Sequence, residues 1–253
     1  MRTRRNWRRT RTSGRRRARL VANCTRSRPH WPRALSPLKD AALVNPLLRF
    51  LDPLPLIAVL RGITPEEVAA VGDALVAEDF RILEVPLNSP RAFESIRSLT
   101  RAHGERCLIG AGTVLAHADI AHVREAGGRI IVTPHCDTAI VNEAKRQGLV
   151  CVPGVATPTE AFAALAAGAD ALKLFPAEAL PPAALKAWRA VLPAETLVFA
   201  VGGIKPDTMS AYWQAGASGF GTGSNLYRPG ARADDVRHAA AAFAAAFRAL
   251  PAQ

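Results

Sequence analysis

A chain of 253 residues with 49% apolar residues is long enough for one large α/β domain or two small ones. Its net charge of +12 sits at one end: residues 1–50 hold fourteen arginines and Lys39 against the single acid Asp40, leaving 18 basic and 20 acidic residues for the rest. That removes the electrostatic case for nucleic-acid binding by the folded part. No apolar run is long enough to span a membrane, and the start lacks the apolar core of a secretory signal.

The four cysteines, Cys24, Cys107, Cys136 and Cys151, show no C-x-x-C spacing, which suits a reduced intracellular chain better than a disulfide framework. The six histidines include no H-E-x-x-H, and His117 and His122 are too far out of phase to share a helix face, so no metal site is expected.

Residues 1–40 are Arg-rich, with clusters at Arg4-Arg5, Arg8-Arg9 and Arg15-Arg16-Arg17. They read as a disordered basic extension, with an RNA-binding arm, an organellar transit peptide or a start of translation further downstream as other readings. Residues 41–253 are expected to form one domain. Its first stretch, 41–52, is a short amphipathic segment that caps the rest of the domain.

From Leu54 onward one unit recurs: a short apolar strand, a turn, then a stretch of helical period ending near glycine. The strands are expected at Leu56–Leu60, Ile82–Leu87, Cys107–Ala111, Ile130–Thr133, Val150–Pro153, Ala171–Phe175, Leu197–Val201 and Gly219–Gly223. Thr64-Pro65-Glu66-Glu67 and Thr157-Pro158-Thr159-Glu160 are helix starts, with Thr at the cap, Pro in the first turn and Glu closing a capping box. Gly104, Gly127-Gly128, Gly148, Gly168 and Gly216 mark helix ends. A final alanine-rich helix, Asp234–Leu250, packs outside. Eight βα units in succession point to a single-domain (β/α)8 TIM barrel; a doubly wound open sheet would also alternate, but eight similar beats favour closure.

In such a barrel, chemistry sits at the carboxyl ends of the strands. There the sequence places Arg61-Gly62, Glu84 before Val85-Pro86-Leu87-Asn88, Gly110-Ala111-Gly112-Thr113, Thr133-Pro134-His135, Lys173, Gly202-Gly203 and Ser224. Lys173 stands alone in the apolar run Ala171-Leu172-Lys173-Leu174-Phe175-Pro176. Either its stem lies along the strand with its head in water, or it is buried, and desolvation makes its amine a neutral nucleophile able to form a Schiff base. Strand parity permitting, Glu84 shares its mouth. A carboxyl, an amine and the planar fork of Arg61 suit carbon–carbon cleavage in a phosphorylated keto acid, with no metal and no organic cofactor. The glycines after the last two strands expose N–H groups where such barrels hold phosphate. A barrel isomerase using Glu84 without covalent chemistry is a second reading. A nucleic-acid-binding protein with the barrel as scaffold is a third, disfavoured by the near-neutral barrel.

Assembled, these residues resemble the 2-keto-3-deoxy-6-phosphogluconate / 2-keto-3-deoxy-6-phosphogalactonate aldolase family of class I aldolases. The motifs are Ala58-Val59-Leu60-Arg61-Gly62, Leu83-Glu84-Val85, Gly110-Ala111-Gly112-Thr113-Val114, Val132-Thr133-Pro134, Lys173-Leu174-Phe175-Pro176 and Val201-Gly202-Gly203. The resemblance implies that Lys173 is the Schiff-base lysine and Glu84 the general acid/base. It implies substrate contacts at Arg61, Thr113, Asn88, Pro134 and Phe175, and a phosphate cradle of Gly202, Gly203 and Ser224. It also implies a cytoplasmic homotrimer releasing pyruvate and glyceraldehyde 3-phosphate. Asn88 and Val201 stand where the gluconate branch usually has arginine and threonine, so the run Glu84–Pro90 resembles the galactonate branch; Phe175-Pro176-Ala177-Glu178 resembles the gluconate branch. The pocket-facing pair is weighted more heavily, and the galactonate substrate is expected, with the gluconate substrate as the alternative.

Overall fold

The computed structural model describes residues 45–252. The basic stretch 1–40 and the first part of the 41–52 segment lie outside the described residues. Among the described residues nine parallel strands form one sheet: β1 Leu56–Val59, β2 Ile82–Pro86, β3 Leu108–Gly112, β4 Ile130–Val132, β5 Val150–Val152, β6 Gly154–Val155, β7 Leu172–Leu174, β8 Val198–Val201 and β9 Gly219–Thr222. The pairing order is β5-β4-β3-β2-β1-β9-β8-β7-β6. Its two ends, β5 and β6, are separated in the chain only by Pro153. One rung of the barrel wall therefore pairs with β4 through its first half and with β7 through its second, and the barrel closes.

The strand expected at Val150–Pro153 is thus divided, and the reason is local. Proline has no N–H to give to a ladder. Its carbonyl still accepts from the N–H of Lys173 at 2.9 Å, and the freed N–H of Gly154 turns to the hydroxyl of Thr133 at 3.3 Å.

Eight α-helices among the described residues follow the strands: α1 Val68–Ala77, α2 Ala92–His103, α3 Asp119–Glu125, α4 Thr138–Arg146, α5 Pro158–Ala166, α6 Pro182–Arg189, α7 Met209–Gln214 and α8 Ala233–Arg248. The capping box predicted for α5 is present in full, Thr157 and Glu160 each satisfying the other's backbone N–H. The first helix begins later than Pro65, at Val68, although the Glu67 carboxylate does return to the N–H of Thr64; the same carboxylate also binds Tyr227 and Gly230. Gly127, Gly148, Gly168 and Gly216 follow helices with positive φ, as expected of helix stops. Gly104 instead stays right-handed, at φ −59. Helix α8 lies across α1 on the outside of the barrel.

Alternation along the strands separates two cores. Leu83, Val85, Ile109, Ala111, Ile131, Leu172, Leu174, Val198 and Ala200 face the helices. Ile57, Ile82, Leu108, Ile130, Val150, Ala171, Phe199 and Val201 fill the interior. Phe199 and Val201 occupy space left by Gly219 and Gly221, where an added Cβ would lie 2.5 and 2.7 Å from their side chains. At the amino end, a short 3-10 helix, Pro46–Phe50, closes the barrel with Leu47 and Phe50, the capping role expected of that segment. The opposite end stays open to side chains that hydrophobic packing does not claim.

Candidate active site at the carboxyl mouth of the barrel

Glu84 lies between the outward-facing Leu83 and Val85, and Lys173 between the outward-facing Leu172 and Leu174. Two-residue periodicity therefore turns both ionisable groups inward. They are 1% and 5% exposed, so the reading in which Lys173 reaches water at the strand end does not hold. Oε2 of Glu84 is buried and has no hydrogen-bond partner among the described residues. A carboxyl so placed is costly unless it is protonated or answers to a nearby charge.

Both effects operate. Burial raises the Glu84 carboxyl from 4.5 to about 7, against the opposing pull of Lys173 and Arg61. Burial lowers the Lys173 ammonium, Glu84 opposes that shift, and Arg61 adds to it. The two groups are thereby drawn toward each other on the pH scale. The Lys173 ammonium also sits over the ring of Phe175, 4.6 Å from its centroid.

Space for the carboxyl is made by Gly112. A Cβ there would fall 1.4 Å from Oε2 of Glu84. Thr113 follows at φ +52, a left-handed conformation unfavourable for a β-branched residue. Its hydroxyl accepts from Nη2 of Arg61 at 3.3 Å, and Oδ1 of Asn88 accepts from Nη1 at 2.9 Å. Two loops thus aim one guanidinium. The turn that carries it is fixed too, since the N–H of Gly62 donates to the buried Ser89 at 2.8 Å.

Across the mouth, Gly154 pairs in register with Lys173. Pro134 crowds it so closely that a Cβ on Gly154 would lie 2.4 Å from the Pro134 carbonyl carbon. Gly202 and Gly203 follow β8, both with positive φ. Exposed Ser224 follows β9, and between these loops Asn225 donates to the carbonyl of Ile204 at 2.9 Å. One neighbour of the glycine pair is not evident from the sequence: the Glu178 side chain lies against both, 2.5 Å from where either Cβ would stand. The ten residues singled out from the sequence therefore all lie along the carboxyl end of one barrel. Those that sequence reasoning left out are Ser89, Glu178 and the space-making part of Gly112. The only signal for them was position in a loop already flagged.

Known proteins include a matching family and similar chains. Residues 48–241 match the family described as "KDPG and KHG aldolase". The chain is 47% identical over 196 residues to a "Probable 2-dehydro-3-deoxy-6-phosphogalactonate aldolase" of Rhizobium meliloti (strain 1021), covering 78% of this chain and 92% of that one. It is 46% identical over 195 residues to the "2-dehydro-3-deoxy-6-phosphogalactonate aldolase" of Escherichia coli (strain K12), covering 77% and 95%. Among solved structures, the one described as "Native KDPGal structure" superposes with a TM-score of 0.76 at 45% identity, covering 78% of this chain and 95% of that one.

Proposed function

The chain belongs to the KDPG and KHG aldolase family, and from that premise we propose that it is a class I aldolase cleaving 2-dehydro-3-deoxy-6-phosphogalactonate to pyruvate and glyceraldehyde 3-phosphate. The observation that carries the reading is the pair of inward-facing, buried groups, Glu84 with an unpartnered oxygen and Lys173 with a lowered ammonium pKa. The galactonate substrate is favoured by the two relatives at 46 and 47% identity, and by Asn88 and Val201 at the pocket positions.

Lys173, neutral for the moment of attack, adds to the substrate ketone. Loss of water leaves a protonated imine, which draws electrons from the bond between the α- and β-carbons, the β-carbon being the one that bears the hydroxyl. Glu84 takes the proton of the hydroxyl on the departing carbon, and that carbon leaves as the aldehyde. The remaining enamine is protonated at carbon by the same carboxyl, and water then releases pyruvate and the free amine. A carboxyl near 7 suits this alternation, because neither form is strongly preferred at neutral pH. Arg61 binds the substrate carboxylate through its fork, with Thr113, Pro134 and Phe175 shaping the pyruvate end and Asn88 holding the guanidinium. Gly202, Gly203 and Ser224 receive the phosphate. The cytoplasm as location and a homotrimer as the working form complete the proposal on the strength of family membership. The homotrimer is checked by a solution mass roughly three times the 27.0 kDa of one chain.

Borohydride reduction in the presence of pyruvate tests the class directly. A reduced pyruvyl adduct mapped to Lys173 is expected. Folded protein with no adduct would exclude covalent catalysis and leave the isomerase reading. Turnover of the two epimeric sugar acids by one preparation then decides the branch.

The raised Glu84 carboxyl also has a stability consequence. Between 4.5 and about 7 the folded chain binds more protons than the unfolded one, so this group's contribution to stability falls as pH rises through that window. Glu84→Gln removes the loss. Its melting temperature relative to the parent is expected to be higher at pH 8 than at pH 5, and calorimetry showing the opposite order would contradict a desolvated carboxyl.

A further inference from the structure

We propose that Glu67, outside the catalytic pair, is a positioning residue that sets the span between the carboxylate-binding and phosphate-binding ends of the site. The inference rests on the proposed function, in which Arg61 and Ser224 mark those ends. Glu67 sits between β1 and α1, in the loop that begins with Arg61. Its Oε2 accepts from the N–H of Thr64 at 3.0 Å and from the Tyr227 hydroxyl at 3.1 Å. Its Oε1 accepts from the N–H of Gly230 at 3.0 Å. One carboxylate thus ties its own loop to both sides of the turn that follows Ser224.

The contact is tight elsewhere as well. Gly62, at φ +81, lies under Pro229, and a Cβ there would stand 2.6 Å from the proline ring. Tyr227 is buried, so its hydroxyl has no ready substitute for Glu67. From the same turn, Asn225 reaches the carbonyl of Ile204, beside Gly202-Gly203. A continuous chain of contacts therefore runs from Arg61 and Gly62 through Glu67 and Tyr227 to Ser224 and the glycine pair. Glu67 itself touches none of the groups assigned to substrate. It acts by keeping two substrate-binding loops at one separation, which matters for a ligand with an anion at each end and not for pyruvate, which engages only one.

Glu67→Gln keeps the shape and converts one acceptor oxygen to a donor. The expected result is a rise in KM of about tenfold for the phosphorylated substrate, the size of one lost charge-assisted hydrogen bond, with kcat changed less than about twofold. Preference over the unphosphorylated sugar acid should shrink by a similar factor, while the rate of pyruvyl trapping on Lys173 stays at the parent value. Ser224→Ala in parallel separates the two layers of inference. If Ser224→Ala reduces the preference for the phosphorylated acid and Glu67→Gln does not, the positioning role is overturned. If Ser224→Ala leaves that preference intact, the phosphate-end reading fails. Equal loss of pyruvate trapping and phosphate preference in Glu67→Gln would mark a merely structural residue and also overturn the proposal. Should Glu67→Gln not fold, Tyr227→Phe decides: it deletes one oxygen and must raise KM in the same direction, and an unchanged KM rejects the clasp.

Discussion

Lys173→Met is expected to reduce cleavage of the phosphorylated keto acid by about 10⁴-fold or more, the scale seen when a covalent catalyst is removed. Methionine has similar length and is apolar, so it fits an inward position that is 5% exposed and lies over the ring of Phe175. The parent chain bears the cost of desolvating an ammonium there, and the variant does not. Loss of Lys173 also removes a charge that helps Glu84 ionise, so the comparison is cleanest at pH 5, where Glu84 holds its proton. There the variant should melt at or above the parent temperature while showing no pyruvyl adduct. Substantial residual turnover by the folded variant would sink the Schiff-base mechanism and favour Glu84 acting alone.

Gly112→Ala should separate activity from stability without changing an ionisable group. The new Cβ meets Oε2, Cδ and Oε1 of Glu84 at 1.4, 2.2 and 2.6 Å, all at the far end of a rotatable side chain. The protein can therefore yield by swinging the carboxyl aside, at a stability cost of about 1 kcal/mol. Catalysis cannot yield in the same way, since a misplaced proton carrier forfeits general acid/base assistance worth about 10²–10⁴-fold. Gly110→Ala, two residues earlier on the same face of β3, provides the contrast. Its Cβ would lie 2.0 Å from the carbonyl oxygen of Ile130 and 2.8 Å from its nitrogen. Backbone in a closed barrel cannot step aside, so a loss of about 3 kcal/mol is expected. Urea unfolding and steady-state turnover on both variants check the split. Normal activity in Gly112→Ala would show that the carboxyl position does not matter to the reaction.

These two glycines show where the legibility of the sequence ended. Both stand in the run Gly110-Ala111-Gly112-Thr113, legible as a strand end. Nothing in the run says that one glycine admits a carboxyl from β2 and the other a backbone from β4, because those neighbours are set by strand pairing and register. Asn88 was legible as a mouth residue, whereas its role as the acceptor for the Arg61 guanidinium depends on two loops meeting in space. The division of the fifth strand at Pro153 follows from a missing N–H and was available in principle. The tie from the Glu67 carboxylate to Tyr227 and Gly230 was not, since those partners lie far along the chain.

The sequence by itself determined the eight-fold alternation, the α5 capping box and the concentration of basic charge in the first fifty residues. Each is a matter of period or composition, which local physics and side-chain direction translate without knowledge of distant neighbours. Tertiary structure alone decided that Glu84 and Lys173 both point inward and how deeply they are buried, that Oε2 of Glu84 is left without a partner among the described residues, and which glycine makes room for it. Burial and close approach are properties of a closed barrel, in which every strand acquires two neighbours that its own residues do not name.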